Sequence, residues 1–108
     1  DATATIETRA KRDLVLRMMR EGGTTPAQRI AYGFELATAR PPGQRESEIL
    51  QSSFNYYRDA FQSDPSAATK YLAQGEAPRD ASLDARELAA YATMASMILN
   101  LDATVTKE

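Results

Sequence analysis

LDARELAAYATMASMILNLDATVTKE, residues 83–108, decides the fold. Asp84 and Glu87 form an Asp-x-x-Glu variant of the capping box, in which the first side chain accepts from a first-turn N–H and the second reaches back to the cap. Leu83 and Leu88 occupy the two positions of a hydrophobic staple around that start. From Leu88 through Ala92, Ala95, Ile98 and Leu99, apolar residues recur at helical spacing, and Met94 and Met97 widen the face. A helix apolar over much of its circumference must be covered on several sides. The stretch therefore predicts a central helix around which the rest of the chain packs.

Upstream, punctuation divides the chain into further helices, and no strand-like alternation is present. Ile6, Ala10, Leu14 and Met18 recur every fourth residue, with Val15 and Met19 beside them, which predicts a helix over about 3–21. Glu7 and Lys11 support its wet side, and Gly22-Gly23 supplies a left-handed stop. The second helix starts at Thr25 as N-cap, with Pro26 in the first helical position and Gln28 completing a Thr-x-x-Gln box. Ala27, Ile30, Ala31, Phe34 and Ala37 form its expected buried face. Arg40 falls in its expected last turn, where a cation suits the helix dipole, and Pro41-Pro42 ends it.

A third helix over about 44–62 takes Gly43 as its N-cap. Ile49, Leu50, Ser53, Phe54, Tyr57, Ala60 and Phe61 form its stripe, and of the adjacent Tyr56 and Tyr57 one is expected to pack and the other to lie at the rim. Ser63-Asp64-Pro65 ends this helix and caps a short fourth one over 65–74, carrying Ala68, Tyr71 and Leu72 and closed by Gly75. The expected fold is all-α: one domain over residues 1–108, a compact bundle of four main helices plus one short helix, with short connections favouring antiparallel neighbours.

Composition narrows the chemistry. The chain has 108 residues, 43% hydrophobic and 26% charged, which favours a folded domain with one modest core. Its net charge is −2 and its Lys and Arg are dispersed, so nucleic acid is not an expected partner. No apolar run approaches the roughly 20 residues of a spanning helix, and the segment DATATIETRAKRDL lacks signal-peptide patterning. A first residue other than Met suggests a mature or trimmed chain. With no His and no Cys, the chain has no His-based catalytic triad, thiolate metal site or haem-attachment motif. Catalysis, if any, would run on carboxylates, Lys or Tyr.

Five phrases in order resemble a known family: RMMREGG (17–23), RIAYGFELATARPP (29–42), FQSDPSAATKYLAQGEAPRD (61–80), LDARELAAY (83–91) and LNLDATVTKE (99–108). Together they resemble the C-terminal part of the planctomycete-type domain of unknown function 1553. That domain occurs in secreted bacterial proteins that often also carry planctomycete cytochrome c domains. The chain departs from the family pattern before Arg17 and at Gly43, where a Thr or Ser cap is expected. The resemblance implies an extracytoplasmic setting, with this chain as the C-terminal module of a larger protein. It implies no cofactor within the chain, because haem would be bound upstream, and it implies no activity.

The densest polar constellation is Glu76, Arg79, Asp80, Asp84 and Glu87. Such carboxylates would serve acid–base chemistry if burial moved their pKa values apart, or would hold Ca²⁺ through several oxygens from one loop. The competing reading makes Asp84 and Glu87 a cap and pairs Arg79 with Asp80 or Glu76 to order the loop. Tyr32, Tyr56, Tyr57, Tyr71 and Tyr91 would line a stacking groove or, alternatively, belong to the core with hydroxyls at its edge. Met18, Met19, Met94 and Met97 would form an adaptable face or fill gaps between the first and last helices. Arg40 would hold an anionic partner or cap its helix.

Three functional expectations follow. The first is a non-catalytic structural or interaction module docking on the preceding domains of the same protein or on a protein partner. The second is a carboxylate-based enzyme or Ca²⁺ site at Glu76–Glu87. The third is a small helical homodimer.

Overall fold

Helix α5, Ala85–Thr106, packs against every other helix: α1 (Ala2–Glu21), α2 (Pro26–Thr38), α3 (Gln44–Ser63) and α4 (Pro65–Tyr71). The computed structural model describes the backbone of residues 2–73 and 84–106 and the side chains of residues 9–73 and 84–101. Among these residues there is no strand, and the architecture is the all-α bundle of four main helices and one short helix. The central position of α5 follows from its composition. Leu88, Ala89, Ala90, Tyr91 and Ala92 are all buried, a run longer than one full turn, so the helix is covered around its circumference. Ala89, Ala92 and Ala95 let neighbouring backbones approach, while Leu88, Tyr91, Met94 and Ile98 fill the space between them.

Leu14, Val15 and Met18 of α1, Ile30 and Phe34 of α2, and Leu50 and Phe54 of α3 close this core. The Phe54 and Tyr91 rings lie 4.7 Å apart, tilted by 42°. Removing each such large side chain from water contributes about 1.5–3 kcal/mol before conformational entropy is subtracted. Met18 and Met94 are fully buried gap-fillers, and Met19 and Met97 pack at the core edge, as the spacing predicts.

The helix ends obey local chemistry. Thr25 Oγ1 accepts from the Gln28 N–H at 3.2 Å, and Gln28 Oε1 accepts from the N–H groups of Thr24 and Thr25 at 3.0 and 3.2 Å. Gly23 takes the left-handed conformation, φ 106°, after the Gly22 N–H has bonded Met18 O at 3.1 Å. Asp64 performs both expected tasks: its N–H closes α3 on Ala60 O, and its Oδ1 accepts from the Ala67 N–H at 3.2 Å to start α4. Gly75 and the end of the expected fourth helix at residue 74 lie outside the described residues.

Five expectations about faces and ends differ from the structure. Helix α2 stops at Thr38 on a left-handed Ala39, φ 64°, so Arg40 lies beyond its last turn. Ala10, Ala27 and Ala60 are exposed although they continue apolar stripes. Ala10 lines an open depression along α1 and Ala27 a groove between α2 and α3, so no neighbouring helix closes over either. Ile49 is 53% exposed while the adjacent Leu50 is buried. Successive residues point about 100° apart, and the bundle covers only one side of α3.

Candidate functional site

Of the constellation expected near the start of α5, Glu76, Arg79 and Asp80 lie outside the described residues, as does Leu83 of the staple. Asp84 caps α5: its Oδ1 accepts from the Arg86 N–H at 2.8 Å, and its backbone carbonyl accepts from the Leu88 N–H. The Arg86 guanidinium also returns to it, at 3.2 and 3.0 Å. Chiefly through that guanidinium, the Asp84 carboxyl is held below the usual carboxylate range. Arg86 is the partner that cap spacing alone did not reveal, since an ion pair two residues away has no periodic signature. Glu87 stands exposed in the first turn, where negative charge suits the helix dipole.

Arg40 is engaged too. Its guanidinium forks onto both oxygens of Glu46 at 2.8 Å and lies 5.0 Å from the Phe34 ring centroid. Glu46 also accepts from the Gly43 N–H at 2.9 Å, the return half of a capping box whose glycine has no side chain to complete it. The Arg40 cation, followed by the Gly43 N–H, pulls the Glu46 carboxyl down to about 2. Its contribution to stability is therefore present above the ordinary value of 4.5 and is lost as pH falls from there towards about 2. Thermal melts of an E46Q chain should show a flatter acid limb than the parent's across that window. An unchanged limb would mean that the pair does not hold in solution.

The five tyrosines share no groove. Tyr91 is buried against Phe54, with Arg29 Nη1 3.5 Å from its hydroxyl, and burial raises its pKa. Tyr32 donates to Glu21 Oε1, which Arg17 also holds at 3.3 Å, clipping α1 to α2. Tyr71 lies against Phe61, ring centroids 5.9 Å apart. Tyr57 is half-buried, and Tyr56, 69% exposed, stands edge-on to it at 5.3 Å. Of this pair one packs and one lies outside, as expected.

What the described residues leave open is apolar surface around α3. On one flank, a groove of about 250 Å³ runs between α2 and α3 over Ile30, Ala31, Pro42 and Leu50. On the opposite flank, Ile49, Ser53, Tyr56 and Ala60 follow one another at spacings of four and three, so they share one helix face. Ile49 and Tyr56 are the two most exposed large hydrophobic side chains among the described residues. A wider depression of about 490 Å³ along α1 is lined by Arg9, Arg12, Asp13 and Leu16 among the described residues. No group of three or more His, Cys, Asp or Glu side chains is placed to hold a metal among the described residues, and no helix there is long and apolar enough to cross a membrane.

No family model, curated protein or solved structure matches this chain. Glu21, Glu46 and Asp84 all have lowered pKa values, the direction that keeps a carboxylate ionised rather than poised to donate a proton.

Proposed function

We propose that the chain is a non-catalytic structural or protein-interaction module that docks through the exposed face of α3. The observation that carries this reading is the exposure of Ile49 and Tyr56, 53% and 69%, on one side of a helix whose other side is core. The two side chains lie two turns apart on one face of α3, where a single partner could take both out of water. The resemblance to secreted planctomycete-type proteins supports an extracytoplasmic setting. In that setting the preceding domains of the same protein, or a separate protein, would be the partner, and any haem would be bound upstream of this chain.

The reading is tested with an I49S/Y56S double variant. Because neither side chain belongs to the core, the variant should melt within about 3 °C of the parent, matching a surface effect of about 0.5 kcal/mol in a domain of this size. The parent, in contrast, should either bind a hydrophobic dye when dilute or self-associate when concentrated, and the variant should do neither. A parent showing neither property removes the docking role.

A further inference from the structure

The exposed face of α3 alternates in size: Ile49 is large, Ser53 small, Tyr56 large and Ala60 small. That order has a specific consequence for pairing with an antiparallel copy of itself. In the register that sets Ile49 opposite Ala60 of the second copy, Ser53 stands opposite Tyr56, and the two-fold axis repeats both matches. Every layer then sets a large side chain against a small one, the condition for two helices to interlock at close range. Parallel pairing in register would instead oppose Ile49 to Ile49 and Tyr56 to Tyr56. Tyr56 is also partly oriented in advance, because its ring rests edge-on against Tyr57.

Charge agrees with the same register. It brings Arg45, one turn before Ile49, level with Asp64 of the second copy. Among the described residues Arg45 is in no ion pair, and the Asp64 carboxylate is bonded only to the Ser66 hydroxyl and the Ala67 N–H. A cation near the start of α3 and a carboxylate at its end are what a two-fold antiparallel contact joins, twice over. The geometry points to a second copy of this chain as the occupant of the α3 face, in an isologous antiparallel helix pair. This inference rests on the docking reading above and names its partner. The contact involves one helix per copy, so it belongs with small interfaces burying less than about 1,200 Å² and with weak association.

Because the chain has no cysteine, the register can be read by disulfide trapping. Chains carrying I49C and A60C should cross-link when mixed and oxidised. Either chain alone should not, because in this register two copies of position 49 lie about 16 Å apart along the axis, well beyond disulfide reach. Both positions are exposed, and matching melts will verify that the variants fold. Sedimentation of the parent up to about 1 mM should show a concentration-dependent dimer, weakened roughly two- to tenfold by R45E and by added salt. Cross-linking of I49C alone as readily as the mixture overturns the register. A parent that stays monomeric yet binds dye through this face overturns the second copy and leaves the docking module standing, whereas loss of both dye binding and association removes the module itself.

Discussion

Phe54→Ala is expected to lower the unfolding free energy by about 3–5 kcal/mol, the usual cost of deleting a buried aromatic ring. Ile49→Ala on the same helix is expected to change it by less than about 0.5 kcal/mol. The contrast follows from where the two side chains point. Phe54 is fully buried, with its ring 4.7 Å from Tyr91 and the Arg58 guanidinium 5.6 Å from its centroid. Truncation would strip Tyr91 of its ring partner and leave a cavity at the α3–α5 contact, which α5 cannot close without drawing away from the other helices it touches. Ile49 faces water, and its removal leaves no cavity. Domains of this size have total stabilities of about 5–15 kcal/mol, so F54A should melt more than about 12 °C below the parent while I49A melts with it. Calorimetric scans of the two variants check this directly. An F54A loss below about 1 kcal/mol would mean that α3 is not held against α5 by this ring pair.

The same two residues show what the sequence could and could not reveal. Ile49, Leu50, Ser53, Phe54, Tyr57, Ala60 and Phe61 all satisfy helical spacing, and spacing places them on one broad arc without saying how much of it a neighbour covers. The bundle covers Leu50 and Phe54 and leaves Ile49 and Ala60 in water. Caps were more legible because their chemistry is local: Thr25 with Gln28, Asp64 before Pro65, and the start of α5 at Asp84 all depend on residues within four positions. The central place of α5 was also legible, since a helix apolar all round has only one favourable location. Arg40 was not, because its partner Glu46 belongs to the next helix and is reached across two prolines. Nor was Gly33, buried in α2 and facing Met18, where a Cβ would lie 2.7 Å from the Met18 sulfur. Its role depends on how α1 crosses α2, which no local pattern records. Of the candidate polar site, Asp84 resolves into a helix cap, whereas the α3 face became visible only when the buried side of that helix was known.

Gly22→Ala is the second large expected effect, at about 2–3 kcal/mol of lost stability, in the range of overpacking a tight contact. The reason is space rather than backbone angle. A Cβ on Gly22 would lie 2.5 Å from Met18 O and 2.9 Å from Arg29 Cα, and both are main-chain atoms that no rotamer change can move. Relief would require both that the last turn of α1 open at Met18 O and that the end of α1 separate from the start of α2 at Arg29. That shift would reach further, because Arg29 bonds Gly23 O through Nε at 3.2 Å and lies 5.5 Å over the Tyr91 ring. The Gly22-Gly23 turn therefore sets the α1–α2 crossing and, through Arg29, its alignment with α5. Gly43 is the control. It is extended, φ −70° and ψ 172°, and an added Cβ there meets only Glu46 Oε1 at 3.5 Å. Gly43→Ser should therefore change stability by no more than a few tenths of a kcal/mol, because serine and glycine differ little as N-caps. Urea titrations of G22A and G43S would separate the two cases. A G22A midpoint equal to the parent's would show that the turn opens without cost and that the α1–α2 approach is not set at Gly22.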